Sequence, residues 1–417
     1  MTPHARTQLE NVVLPFWMQE GIDERFGGFH TCFDNRGRER VSDDKYTWSQ
    51  GRFIWILSRL AQLSERGMLR VDGHDAAQML RWARQGAEFL YEHVLRPDAT
   101  CVFVTRRDGA ASEGAHPPRS VYADLFAAMG FAEYARVSGE RAWLDSARRI
   151  LDRATVDVRS GVAPTPPYDV PRGHRAFGPH LILLNALNVL TEAERSLTGV
   201  STRDDEVATE IDAVMGFRED SGVFAEMPRV DGVNGSDLVT RHRVPGHALE
   251  ALWIALEGIE LVGGSAADHR EPALESINPL CELGWDAERE GLFRYVDRDG
   301  GRPRGVCTET PYESLVRETW DTKLWWVHTE AAAVTAVAAQ RYGRADCGVW
   351  HSRIWGYTLA TFPGGDDGRE WVQIRNRDGS PRDSVVALPV KDPFHIVRNL
   401  VQLLEVDHEL ALVREVR

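Results

Sequence analysis

GGFHTCFDNRGR, residues 27–38, opens a series of related segments in which an aromatic residue leads into a tight polar turn. CVFVTRRDGA (101–110), GVFAEMPRVDG (222–232), GLFRYVDRDGG (291–301) and EWVQIRNRDGS (370–380) repeat it, and the degraded GVAPTPPYDVPRG (161–173) falls where the spacing needs a sixth copy. Each interval leaves room for two helices. A helical hairpin repeated in this way cannot bury its apolar face alone, so the units must stack or close into a ring. Six hairpins closing on themselves predict a helical toroid. Its turns build a pocket at one mouth, and chemistry is expected there, near the starts of the inner helices.

The segments between the turns support this reading. Apolar residues recur at three- and four-residue spacing in YTWSQGRFIWILSRLAQL, SVYADLFAAMGFAEYARV, HLILLNALNVLTEAERSL, HALEALWIALEGIELV, VHTEAAAVTAVAAQRYG and DPFHIVRNLVQLLEVDHEL. Asp or Glu is expected to open such helices and Gly to close them, as at Gly67, Gly139 and Gly343. Strand-like alternation is confined to the turns, as in FHTCF and LFRYV, which are long enough for hairpins. No Ser/Gly-rich linker divides the chain, so residues 1–417 read as one domain, all-α with β segments only at the rim.

Composition narrows the function. A net charge of −14 argues against a nucleic-acid partner, because phosphate binding needs a basic face. No apolar run approaches a membrane span, and MTPHARTQLENVV lacks the apolar core of a signal peptide, so a cytoplasmic location is expected. The five cysteines are scattered, without zinc-ligand spacing, which fits reduced thiols. Of thirteen tryptophans most read as core, but indole rings in a concave site are favoured platforms for the C–H faces of sugars.

Polar residues inside otherwise apolar helices mark the pocket. Trp48 and Arg52 form an i,i+4 pair, and Arg52 could neutralise the oxygen of a polarised carbonyl or pair with a core carboxylate. In PGHALEALW, His247 and Glu250 share a face just after a loop, where a carboxylate would fix the tautomer of a general base or acid. TWDTKLWWVHTEAA places Trp320, Trp325 and Trp326 beside His328 and Glu330, a stacking platform with ionisable groups. KDPFHIVRN holds Lys391, Asp392, His395 and Arg398. His180, one residue after a proline, is a weaker candidate that reads equally as a helix-start histidine.

At these residues the chain resembles the N-acylglucosamine 2-epimerase family, which includes the renin-binding proteins. GGFHTCFDNRGR followed by DKYTWSQGRFIW, then PGHALE, KLWWVHTEA and PFHIVRNL resemble four ordered family blocks over most of the length. The resemblance implies an (α/α)6 barrel. It implies that His247 and His395 are the acid–base pair and that Arg52 binds substrate near C1 and C2. Glu250 and Glu330 would orient the site, with Trp48, Trp326, His328 and His180 as further substrate-binding candidates. Val327 stands where the epimerase block carries proline, and VVALPVKD replaces a Gly-rich stretch. The superfamily also holds mannose isomerases, mannose epimerases and cellobiose 2-epimerases.

The expected chemistry is proton transfer at C2 of a non-phosphorylated open-chain sugar, through a cis-enediolate. Return of the proton to C2 from the opposite face epimerises, and delivery to C1 isomerises aldose to ketose. No phosphate-cradling glycine loop or metal motif is visible, so neither cofactor nor metal is expected. The sugar is the expected partner, and a homodimer stays open. Two other classes are a glycoside hydrolase using Glu250 and Glu330 as its carboxylates and a sugar-binding protein without turnover. The first has no need of two histidines, and the second no need of the full set Arg52, His247 and His395.

Overall fold

The structure, a computed structural model, describes residues 3–112, 119–233, 235–364, 369–383 and 389–415. Six inner helices run Thr47–Glu65, Val121–Ser138, Phe177–Thr198, Pro245–Val262, Trp325–Arg341 and Phe394–Glu415. Each packs on the next, and the sixth returns to the first, which closes the ring. The outer layer consists of 3–20, 76–94, Arg141–Arg159, Asp204–Met215, Arg270–Gly284 and Ala345–Thr361. This is the expected (α/α)6 barrel, and its inner helices coincide with the six periodic segments.

Burial explains the two layers. The inner helix Pro245–Val262 buries Leu249, Leu252, Trp253, Ile254, Leu256 and Ile259, residues from several sides, because protein surrounds it. The outer helix Arg141–Arg159 buries only a stripe of Leu144, Ala147, Ile150, Leu151, Ala154 and Val158. The first two inner helices approach most closely at Gly51 and Gly130. A Cβ on Gly51 would lie 2.1 Å from the Phe126 carbonyl oxygen, and one on Gly130 would lie 2.6 Å from the Gly51 carbonyl oxygen.

The rim differs from the hairpins expected within the turns. Lys45–Tyr46 pairs antiparallel with Val104–Thr105, His242–Arg243 with Val296–Asp297, and Lys323–Leu324 with Ile374–Arg375. Each two-residue strand leading into an inner helix therefore binds the turn that follows the hairpin, and FHTCF holds only isolated bridges at Phe29 and Phe33. The turns tie neighbouring repeats together because a two-residue ladder needs a partner from elsewhere in the ring.

Buried ion pairs reinforce these ties. Lys323 is fully buried, with its Nζ 3.1 Å from Asp286 and donating to the Gly291 carbonyl at 3.1 Å. Arg377 from the last turn donates to the same Asp286 carboxylate at 2.7 and 2.8 Å. Burial raises the Asp286 pKa, but the Arg377 hydrogen bonds and the Lys323 charge outweigh it and hold the carboxyl well below the usual range. Asp286→Ala leaves Lys323 buried without its acid and is expected to cost about 3–5 kcal/mol, read from urea denaturation of the purified protein. Because the folded pKa is depressed, the Asp286 contribution is present above its unfolded pKa and lost on acidification. The mutant should therefore show a flatter decline in stability below about pH 4. An unchanged denaturation midpoint would remove this pair from the list of stabilising contacts.

Candidate active site

Five inner helices start without a side-chain cap, at Tyr46, Ser120, Ala176, Val244 and Leu324. Of the acidic openings that the sequence leads one to expect, only Asp124 lies in the first turn of one of these helices; the other four have none. The first amides of four of the five helices, Thr47, Val121, Phe177 and Trp325, donate instead to the turn carbonyls of Phe103, Pro164, Glu226 and Gln373, and the positive ends of these helices gather at one mouth, where negative charge developing on a ligand is stabilised. In the sixth helix, Asp392 accepts from the Phe394 amide at 3.2 Å.

A cavity of about 520 Å³ opens there and adjoins a lobe of about 350 Å³. Trp48, Arg52, Arg294, Trp326 and His395 line both. The smaller lobe adds His247, Glu226 and Glu250, with an apolar wall that includes Tyr122, Tyr168 and Tyr312.

The two histidines sit in the first turns of the fourth and sixth inner helices. Each is held at Nδ1 by a carboxylate. His247 lies 3.0 Å from Glu226 and His395 lies 2.7 Å from Glu330. An ionised carboxylate at Nδ1 requires the proton there, so Nε2 is the nitrogen left to exchange protons. Burial lowers the His247 pKa, but the charge and hydrogen bond of Glu226 overcome it, and the net shift is upward.

Trp326 lies between the rings. Its centroid is 5.3 Å from His247 and 5.4 Å from His395. Gly246 makes this approach feasible, since a Cβ there would lie 2.8 Å from the edge of the indole and 2.9 Å from Val327. Val327, the departure from the family proline, is fully buried behind the wall and does not line the cavity.

Beneath this layer the second turns hold a charged floor. Arg398, only 4% exposed, donates from one terminal nitrogen to Glu250 at 2.5 Å and to Glu330 at 2.6 Å. The Trp253 indole also donates to Glu330 at 2.8 Å. Burial raises the Glu330 pKa, yet Arg398 and His395 together lower it and keep it ionised. Glu250, Glu330 and His395 come close enough to hold a metal ion, but the Arg398 guanidinium already supplies the cation to both carboxylates. Arg52 both lines the cavity and pairs with the core carboxylate Asp392 at 3.0 Å, lying over the Phe126 ring at 4.0 Å.

The structure brings Trp48, Arg52, His247, Glu250, Trp326 and His395 onto one cavity, with Glu330 directly behind His395. Two expected ligands fall elsewhere. His328 is fully buried; its Nδ1 bonds the Leu324 carbonyl and its Nε2 accepts from the Leu292 amide. Burial pushes it down to about 3, so it is a neutral structural link to the turn. His180 points outward to Glu210 on the outer layer, at 2.6 Å, because it lies about 200° round its helix from the cavity-lining Ile182. The partner of His247 is Glu226 rather than Glu250, which binds Arg398. Glu226 and Arg294 had a signal, since they follow the aromatic residue of a repeated turn by two residues and by one. Residues 384–388, which carry the first half of VVALPVKD, lie outside the described residues; Pro389 and Val390 line the larger cavity.

A ring of inner-helix starts around two histidine–carboxylate pairs and an indole platform defines a sugar-converting enzyme of the isomerase class. Comparison with known proteins agrees. The sequence pattern of a family described as N-acylglucosamine 2-epimerase matches residues 27–398. An N-acylglucosamine 2-epimerase from Bos taurus is 30% identical over 406 residues, covering 95% of this chain and 89% of that protein. A cellobiose 2-epimerase from Bacillus thermoamylovorans superposes with a TM-score of 0.76 at 19% identity, covering 96% of this chain and 98% of that one. A D-mannose isomerase superposes with a TM-score of 0.69 at 16% identity, over 94% of this chain and 95% of that one. The chain belongs to the N-acylglucosamine 2-epimerase family and is a sugar 2-epimerase.

Glu226→Gln removes the charge that lifts His247 and keeps its size. The His247 ring is expected to titrate at lower pH by NMR, and the corresponding limb of the kcat/KM profile to move with it. Turnover should fall by up to about 10²-fold, a share of what a general acid–base group supplies. An unchanged His247 titration would show that Glu226 does not tune it.

Proposed function

We propose that the chain interconverts an N-acylglucosamine and its N-acylmannosamine epimer, as the free sugar. The observation that carries this reading is the pair of histidines flanking one indole, each with its own carboxylate. Epimerisation at C2 needs a base on one face of the carbon and an acid on the other. With the sugar against Trp326, His247 and His395 stand towards its two ends and can reach opposite faces. One Nε2 takes the C2 proton, and charge builds on the C1 oxygen of the enediolate. Arg52 and the positive helix ends stabilise that oxygen. The other histidine returns a proton from the opposite face. The apolar lobe walled by Tyr122, Tyr168, Met227 and Leu315 suits the acyl methyl group. Cytoplasmic surroundings, where the five unpaired cysteines stay reduced, fit the same reading.

Aldose–ketose isomerisation uses the same enediolate and differs only in where the proton returns. A hydrolase is disfavoured by the state of Glu250 and Glu330. A glycosidase needs one carboxyl group held protonated, whereas both carboxylates here bind the same guanidinium nitrogen and Glu330 is depressed.

Incubation with N-acetylmannosamine, mannose, glucose or cellobiose in D2O, followed by NMR, tests the assignment. Deuterium at C2 of N-acetylmannosamine with appearance of its epimer is the expected result. Deuterium at C1 of a ketose formed from mannose would replace the epimerase with the isomerase. His247→Asn and His395→Asn are each expected to lower interconversion at least about 10²-fold while the fold is retained. Each mutant should still wash out the C2 proton of one epimer, a different epimer for each. Near-normal turnover in both would refute the two-histidine scheme.

A further inference from the structure

The opposite end of the barrel holds a second cavity, of about 620 Å³, between the C-terminal halves of the inner helices. Arg398 forms part of its floor, so one guanidinium separates it from the histidine layer. Six glutamates line it, at 133, 192, 257, 260, 405 and 409, against Arg59, Arg341 and Arg398. Most are already paired. Glu405 binds Arg59, Glu409 binds Arg341, Glu133 binds Arg136, and Glu260 binds Arg270. Glu192 has only a 3.7 Å approach from Arg136, and Glu257 has no hydrogen bond or ion pair among the described residues.

Buried acceptors point into the same space. Gln402 and Asn188, each 6% exposed, line the cavity, and their side-chain oxygens have no donor among the described residues. Asn185, 4% exposed, adds an amide nitrogen without an acceptor. Buried polar groups are rarely left so, and each such vacancy is destabilising unless something satisfies it. Unpaired carboxylates and orphan carbonyl oxygens together ask for a ligand rich in N–H donors and positive charge. A compact divalent ion does not fit, because these glutamates do not gather within ligating distance of one another; the one such cluster among the described residues is at the other face of Arg398.

We propose that this cavity binds a small organic cation bearing a primary ammonium group, with Glu257 and Glu192 as counter-charges and Gln402 and Asn188 as hydrogen-bond acceptors. The hydrophobic walls at Trp55, Met129 and Leu256 take its methylene chain. Binding is linked to protons. Desolvation within the cavity first, then the Glu192 charge, raises the Glu257 pKa; Arg341 and Arg59 oppose this and Glu405 adds to it. An arriving cation favours the ionised carboxylate, so binding releases a proton and tightens as pH rises.

Calorimetric titration with 1,4-diaminobutane, in two buffers of different ionisation enthalpy and against sodium chloride at matched ionic strength, tests this. Saturable binding with proton release is expected, together with a rise in Tm. Glu257→Gln should weaken binding at least about tenfold, as should Gln402→Leu, with sugar turnover unchanged in Glu257→Gln. Glu257 is exposed at the cavity mouth and carries no ion pair among the described residues, so Glu257→Gln is expected to fold. Four results would overturn the proposal: no saturable binding beyond the salt control, equal affinity in both variants, displacement of the diamine by excess sugar, or magnesium binding with the same dependence on Glu257. None depends on turnover, so the outcome stands apart from the identity of the sugar.

Discussion

A basic residue two or three positions ahead of every inner helix holds the barrel's working mouth together. Lys45, Arg119, Arg175, Arg243, Lys323 and Lys391 occupy these places. Five of them meet acids: Lys45 with Asp23, Arg119 with Asp124 and Asp157, Arg243 with Glu219, Lys323 with Asp286, and Lys391 with Glu370. Arg175 uses the Gly216 carbonyl and the Phe217 ring instead. Lys45, Lys323 and Lys391 are fully buried. Such pairs add little net stability compared with apolar packing, but losing one partner strands the other charge. Their value is registry. Apart from Asp124, which lies in the second inner helix itself, each acid lies in or beside a turn, so its pair fixes where an inner helix begins relative to that turn. The site residues occupy the first two turns of those helices, and a slip of one residue would rotate them off the cavity.

The second constraint is the charge held by Arg398. Glu250, Glu330 and His395 come from three neighbouring inner helices and meet beneath the cavity. Two carboxylates so placed would repel, and each would be costly to bury, without a cation between them. Arg398 supplies it and so joins the fourth, fifth and sixth helices. It also keeps Glu330 ionised, which fixes the His395 tautomer. The hydrogen bond that orients His395 is therefore a consequence of how the ring is closed.

This explains what the sequence showed and what it hid. Repeats and periodicity are local properties, so PGHALEALW and KDPFHIVRN announced helix starts with polar residues facing inward. The choice of partner is not local. His247 and Glu250 share a helix face, yet the tie runs to Glu226, because the preceding turn reaches over the first turn while Glu250 sits one layer lower. His328 and Glu330 are two residues apart and therefore face different ways; only the glutamate reaches the site. His180 follows a proline like His395 but faces the outer layer, a difference of rotation about the helix that composition does not encode. The basic residues ahead of the helices were visible as letters, in DKYTW and TKLWW, but their meaning depends on acids in other repeats.

The two histidines work against different backgrounds, and this bears on direction. Glu226 bonds His247 with no cation hydrogen-bonded to it among the described residues, so its charge acts on that ring and holds it towards the protonated form. Glu330 divides its charge between His395 and Arg398. A two-base epimerisation must start with one ring carrying a proton to give and the other ready to take one. An unshared carboxylate at one ring and a shared one at the other make the site asymmetric before any sugar enters. In the proposed two-histidine scheme one turnover makes the protons change places, so the site must exchange with solvent before the same epimer can react again. His247 is the more open of the two, with 35% of its side chain exposed against 16% for His395. Return to the starting state therefore runs most directly through the lobe beside His247.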